Sequence, residues 1–132
     1  MLTMRMPLLC AALLIVSAAL APPGWAQESN RFLVYFDEFS ANLTQKSRDV
    51  IADAAKKARE TNAKGIRIEA RASATGSQKA NHYLAQTRSQ VVADELEHDG
   101  VNPATVQQVP IGQTGSEDPS VAERRVDIVL EH

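Results

Sequence analysis

The chain is poor in the residue types that build metal and redox chemistry. It has one cysteine, one tryptophan and three histidines among 132 residues. A single cysteine excludes an internal disulfide and a cysteine-built zinc site. His82, His98 and His132 follow no metal-ligand spacing. No serine sits in a nucleophile elbow, so the site checklist returns no catalytic residue, no metal and no cofactor. Neither sign of charge dominates: 14 basic and 16 acidic side chains leave a formal charge of −2. That balance offers no electrostatic footprint for nucleic acid. Internal repeats, low-complexity runs and an interior linker are also missing. With 44% apolar and 23% charged residues, the composition is that of one globular domain rather than a disordered chain.

The longest apolar run lies at the start. Arg5 precedes Met6–Ala21, and a small-residue exit follows. This is the layout of a secretory signal peptide, and the run falls short of the roughly 20 apolar residues a spanning helix needs. Two exits fit, Ala19-Leu20-Ala21 and Gly24-Trp25-Ala26. Pro22 directly follows the first, so cleavage is expected after Ala26, within a few residues. Lipidation at Cys10 is disfavoured. Pro7-Leu8-Leu9 stands where small residues are required, and the position is too early. Residues 1–26 are thus the export segment and 27–132 the domain. Cleavage removes Cys10, Trp25 and Arg5, leaving an exported domain with no cysteine and no retained span.

Within 27–132 the patterning alternates between periods of two and 3.6. Arg31-Phe32-Leu33-Val34-Tyr35-Phe36 reads as a buried strand. Thr44 is a candidate N-cap for a helix to about Thr61, with Val50, Ile51, Ala54 and Ala58 on one face, ended by Asn62-Ala63-Lys64-Gly65, where Gly65 suits the turn. Ile66–Ala72 alternates, with Arg67, Glu69 and Arg71 on a wet face. A second helix spans about Lys79 to His98 and closes at Asp99-Gly100. Val106–Ile111 is a third strand, which Pro110 places at a sheet edge or an irregular end. Arg125–Leu130 is the fourth, with Val126, Ile128 and Leu130 inward and Asp127 outward. The order β-α-β-α-β-β predicts an α+β two-layer sandwich, with helices on one face of a small mixed sheet.

One residue disturbs this pattern. On a helical wheel, about 100° per residue, Arg88 falls within the apolar stripe of Leu84, Val91, Val92 and Leu96. Glu95 lies on the same stripe. A guanidinium there must meet a carboxylate, backbone carbonyls or a ligand anion. It either snorkels, pairs with an acid such as Glu69 or Glu117, or serves a ligand. The small polar loop Ser73-Ala74-Thr75-Gly76-Ser77 precedes this helix and can receive an anionic or polar ligand. Tyr83 reads as packing.

These pieces come together as a resemblance. Ala70-Arg71-Ala72-Ser73, Gly76-Ser77, Ala80-Asn81 and Leu84-Ala85-Gln86-Thr87-Arg88-Ser89 resemble, at family spacing, the Gly-His-Thr-Asp, Gly-Ser, Tyr-Asn and Leu-Ser-x-x-Arg-Ala signature of OmpA C-terminal-like, peptidoglycan-associating domains. Tyr35-Phe36-Asp37 through Leu43-Thr44, and Glu123-Arg124-Arg125-Val126-Asp127-Ile128, are similar to the family's first strand and its Asn-Arg-Arg-Val ending. The resemblance implies non-covalent binding of peptidoglycan through the diaminopimelate of its stem peptide, with no enzyme activity. It implies that Arg88 meets the ligand carboxylate, with Asn81, Ser73 and Thr75 beside it. The family aspartate that meets the ammonium falls on Ser73, which is uncharged. Arg71, in place of the family histidine, adds a cation where that ammonium should sit. Glu117 and Asp118 are the candidate compensating acids. A periplasmic protein at the outer membrane or cell wall is implied. The alternative is a degenerate module that keeps the fold and binds a cell-envelope protein rather than peptidoglycan.

Overall fold

The computed structural model describes residues 30–72, 77–113 and 124–132. The expected export segment 1–26 lies outside them, as do Ser73, Thr75, Glu117 and Asp118. Six elements follow in the expected order: β1 (Arg31–Tyr35), α1 (Gln45–Glu60), β2 (Gly65–Ala72), α2 (Gln78–His98), β3 (Val106–Gln113) and β4 (Arg125–Glu131). A 3-10 turn, Pro103–Thr105, leads into β3.

Local chemistry sets both helices. Thr44 has extended backbone and its hydroxyl accepts from the Ser47 amide at 3.1 Å, which caps α1. Ser77 does the same for Ala80 at the start of α2, at 3.0 Å. Each satisfies one amide that the first turn leaves without a partner. At the far end of α2, Gly100 takes φ of +96°, its amide donates to Glu97 and the Val101 amide donates to Leu96. Val101 and Leu96 are both buried, completing the hydrophobic contact of a Schellman cap. The end of α1 repeats this geometry with Asn62, φ +51°, as the left-handed residue. The expected ending over Asn62–Gly65 stands, with Asn62 rather than Gly65 as the left-handed residue. Asn62 tolerates the left-handed region, and Gly65 already belongs to β2.

The sheet order is β1-β4-β2-β3, with β4 antiparallel to both neighbours and β2 parallel to β3 across α2. Ile66, Ile68, Ala70 and Ala72 of β2 and Val126, Ile128 and Leu130 of β4 bury one face against Ile51, Ala54, Ala55 and Ala58 of α1 and Ala85, Val92 and Leu96 of α2. Alanine supplies much of this interface. β3 is an outer strand, as Pro110 requires, and it runs two residues further than expected. A register shift after Ala70 leaves Ile111 without a β2 partner.

Two strand expectations change. β1 is the other outer strand and only its Val34 is buried, with Phe36 just beyond it. An edge position and one open face leave the apolar run half covered. Asp127 was placed outward on β4, and it does face away from the helices, yet its side chain is 1% exposed. Arginines roof it over. Arg31 donates to it, Arg125 Nε stands 2.6 Å and Arg71 3.2 Å from its carboxylate. Glu69, opposite it in register, adds Arg67 at 2.9 Å. The open sheet face is thus a ladder of ion pairs, closed over Asp127 and solvated at Arg31, Arg67 and Glu131.

Candidate functional site

Arg88 projects from the middle of α2 toward the C-terminal end of β2 and is 0% exposed. It neither snorkels nor pairs with Glu69. Its Nε donates to the Ser40 carbonyl at 2.8 Å, one terminal nitrogen to the Arg71 carbonyl at 3.0 Å, and the other to the Asp37 carbonyl at 3.0 Å. Of the three partners weighed for a cation on an apolar face, the backbone carbonyls hold it. One planar fork ties the β1–α1 loop, the end of β2 and α2 together, a geometry that a lysine ammonium cannot span. The Phe36 ring lies 5.2 Å from the guanidinium carbon, within cation–π range.

Burial, and after it the neighbouring charge of Arg124, lowers the Arg88 pKa from the usual guanidinium range to about 10. It remains three units above neutral, so the group is a buried cation throughout the physiological range. Three of the five guanidinium N–H groups serve the carbonyls.

Asn81 is buried two turns earlier on the same side of α2. Its face is completed by Ala85, Ser89, Val92 and Leu96, so the stripe is centred between the expected positions, and Leu84 and Val91 are only half-buried. Ser89 donates to the Gln108 side chain at 3.0 Å, fastening α2 to β3. Glu95 does not join Arg88. It takes Arg48 of α1 at 3.3 Å.

The expectation that Arg71 adds charge beside the ligand is corrected. Its carbonyl serves Arg88, but its guanidinium lies on the other sheet face against Asp127 and Glu69. Alternation along β2 sends the side chain to the face opposite Arg88. Tyr83 is also corrected. It is 56% exposed, on the side of α2 away from Arg88, with its edge toward His82. The carbonyls of Asp37 and Ser40 and the ring of Phe36 are the parts of the site that sequence reasoning missed. A backbone acceptor leaves no mark on residue type. The one available signal was Arg88 itself, which demanded acceptors without naming them. Ser73, Thr75, Glu117 and Asp118, the remaining expected site residues, lie outside the described residues. Among the described residues no helix is long and apolar enough to cross a membrane, and no group of three or more potential metal ligands forms.

The sequence matches the OmpA family over residues 35–126. Among solved structures, the peptidoglycan-associated lipoprotein from Burkholderia pseudomallei is 25% identical, with a TM-score of 0.67 over 76% of this chain and 90% of that one. The OmpA-like domain of FopA1 from Francisella tularensis is 18% identical, with a TM-score of 0.66 over 74% of this chain and 69% of that one. The periplasmic domain of Helicobacter pylori MotB is 21% identical, with a TM-score of 0.62 over 74% and 69%. No curated protein sequence matches. The family match spans well over half of the chain, from the end of β1 to the start of β4, and takes in both Asn81 and Arg88. The chain belongs to the OmpA family.

Proposed function

We propose that this protein is an exported periplasmic module that binds peptidoglycan non-covalently through the diaminopimelate of the stem peptide. The observation that carries this reading is the joint burial of Arg88 and Asn81 on one side of α2, inside the span that matches the OmpA family. The relationship to a peptidoglycan-associated lipoprotein supports it. In this reading residues 1–26 direct export and are removed, and the domain of 27–132 acts in the periplasm, at the outer membrane or the cell wall. The two N–H groups of Arg88 that the three carbonyls do not use receive the ligand carboxylate, which requires the closed site around the 0%-exposed guanidinium to open. Asn81, Ser73 and Thr75 are the further ligand contacts in this reading. Ser73 gives the ligand ammonium a hydroxyl in place of a carboxylate, and Glu117 or Asp118 supplies the missing charge.

A second reading has its own support. Arg88 already has three acceptors inside the protein, so a structural task alone accounts for its presence. With Ser73 uncharged, the domain would then be a protein-interaction or structural module of the cell envelope without peptidoglycan binding.

Co-sedimentation with purified sacculi separates the two. The first reading expects retention at micromolar protein and displacement by a diaminopimelate-containing peptide. It also expects tighter binding by Ser73→Asp. A restored charge-assisted bond is worth roughly 1.5–3 kcal/mol, or about one to two decades in affinity. Absence of wild-type retention at micromolar protein overturns it.

A further inference from the structure

The β1–α1 loop carries an unusual residue. The Ser40 amide donates to the Asp37 carbonyl at 3.1 Å, closing a four-residue turn. Its third residue is Phe39, with φ of +57°. That position of a turn favours glycine or asparagine, and a bulky side chain in the left-handed region is strained. The Phe39 ring gains no burial in return, since it is 70% exposed. Arg88 holds the carbonyls on both sides of the strained residue, Asp37 at 3.0 Å and Ser40 at 2.8 Å. The Asn42 amide adds a bond to the Ser40 hydroxyl at 3.0 Å. The turn is thus locked, with an apolar ring held out in water on the segment whose carbonyls Arg88 grips. Strain maintained by surrounding bonds at a functional site points to a task for the ring.

The other exposed rings do not share this place. Tyr83 lies about 200° around α2 from Asn81 and faces away. Tyr35 alternates onto the open sheet face beside Arg125. Phe39 alone among the exposed aromatic rings of the described residues lies on a segment that Arg88 grips.

We propose that Phe39 is the saccharide contact of this binding site, stacking on the C–H face of a pyranose next to the stem peptide. This rests on the peptidoglycan reading above. A flat ring on a convex turn offers one face and no walls. That suits the flat C–H face of a sugar, whose polarised hydrogens meet the negative face of the aromatic ring. Peptide methyl groups are better held in a concave pocket.

The test measures affinity for two ligands: the free diaminopimelate-containing stem peptide, and the same peptide carrying its N-acetylglucosaminyl-N-acetylmuramic acid disaccharide. The wild type is expected to prefer the second by about three- to tenfold. Phe39→Asn and Phe39→Gly, which suit the left-handed turn, should abolish that preference, leave the peptide affinity unchanged and raise the melting temperature. Phe39→Tyr should keep the preference. A wild type that binds both ligands equally overturns the saccharide contact and leaves the peptidoglycan reading standing. So does a Phe39→Asn protein that keeps the preference or weakens on both ligands alike. A melting temperature lowered by Phe39→Gly and Phe39→Asn overturns the strain argument on which the proposal stands. A wild type that binds neither ligand overturns both the contact and the reading beneath it.

Discussion

Replacing Arg88 by methionine tests whether its guanidinium is a structural tie. The substitution keeps an unbranched apolar stem of similar reach and removes every donor. Three carbonyls lose a charge-assisted bond. Asp37 retains the Ser40 amide at 3.1 Å, so the burden falls chiefly on Ser40 and Arg71. Each buried carbonyl deprived of a donor costs roughly 1–3 kcal/mol. The lost stacking over Phe36 adds about 0.5–1 kcal/mol. Against this, the variant no longer buries a charge, and that burial is costly enough to pull the Arg88 pKa down to about 10. The net expectation is a loss of about 3 kcal/mol, a large share of the roughly 5–15 kcal/mol a domain of this kind has. It should lower the melting temperature by more than about 10 °C. Urea unfolding followed by far-UV circular dichroism measures it directly. Arg88→Lys should also destabilise, because one ammonium cannot reach three carbonyls set around a plane. If Arg88→Met unfolds within about 0.5 kcal/mol of the wild type, the ordinary range for a surface change, the tie is not structural. The same result would release Arg88 entirely for ligand binding. It also means that loss of sacculus binding in an Arg88 variant is interpretable only beside its unfolding curve.

Three further outcomes follow from the described geometry. The destabilisation by Arg88→Met should be constant from pH 6 to 9. Arg88 is protonated in both folded and unfolded chains below about 10, and its burial cost is relieved only as pH rises from there toward the unfolded value. A change in ΔΔG above about 1 kcal/mol within that window would contradict the assignment. Asp127→Asn should cost about 2–4 kcal/mol by urea titration, since it leaves Arg31, Arg71 and Arg125 around a neutral group in a nearly closed site. A neutral result would mean that the ladder is a solvated face. Gly100→Ala should lower stability by about 1–2 kcal/mol, because φ is +96° and a Cβ would stand 2.9 Å from the Arg59 guanidinium. A stabilised variant would show that the cap is not held in the left-handed region.

The helices and strands were legible because their signals are local. A hydroxyl at Thr44 caps whatever helix follows it, and alternation along Ile66–Ala72 marks two faces wherever that strand is placed. Pro110 announced an edge or an irregular end for the same reason, since the missing amide travels with the residue, and β3 shows both. Neighbours in space were not legible. The run Phe32 to Phe36 carries the composition of a central strand, and only the sheet order reveals an edge. Asp127 carries the composition of a wet position, and only the arrival of arginines from β1, β2 and its own strand encloses it.

The binding site divides along the same line. From the sequence alone came an uncompensated cation on an apolar face of the second helix, together with the family to which that face belongs. Burying a guanidinium without acceptors is prohibitively costly, so a demand for partners was already written into residue 88. Which partners answered was decided by tertiary structure, because backbone carbonyls are common to all residues and become specific only when a fold aims them. Three segments distant in the chain converge on one planar fork, and the same convergence holds Phe39 in a strained, outward pose that no residue pattern could have disclosed.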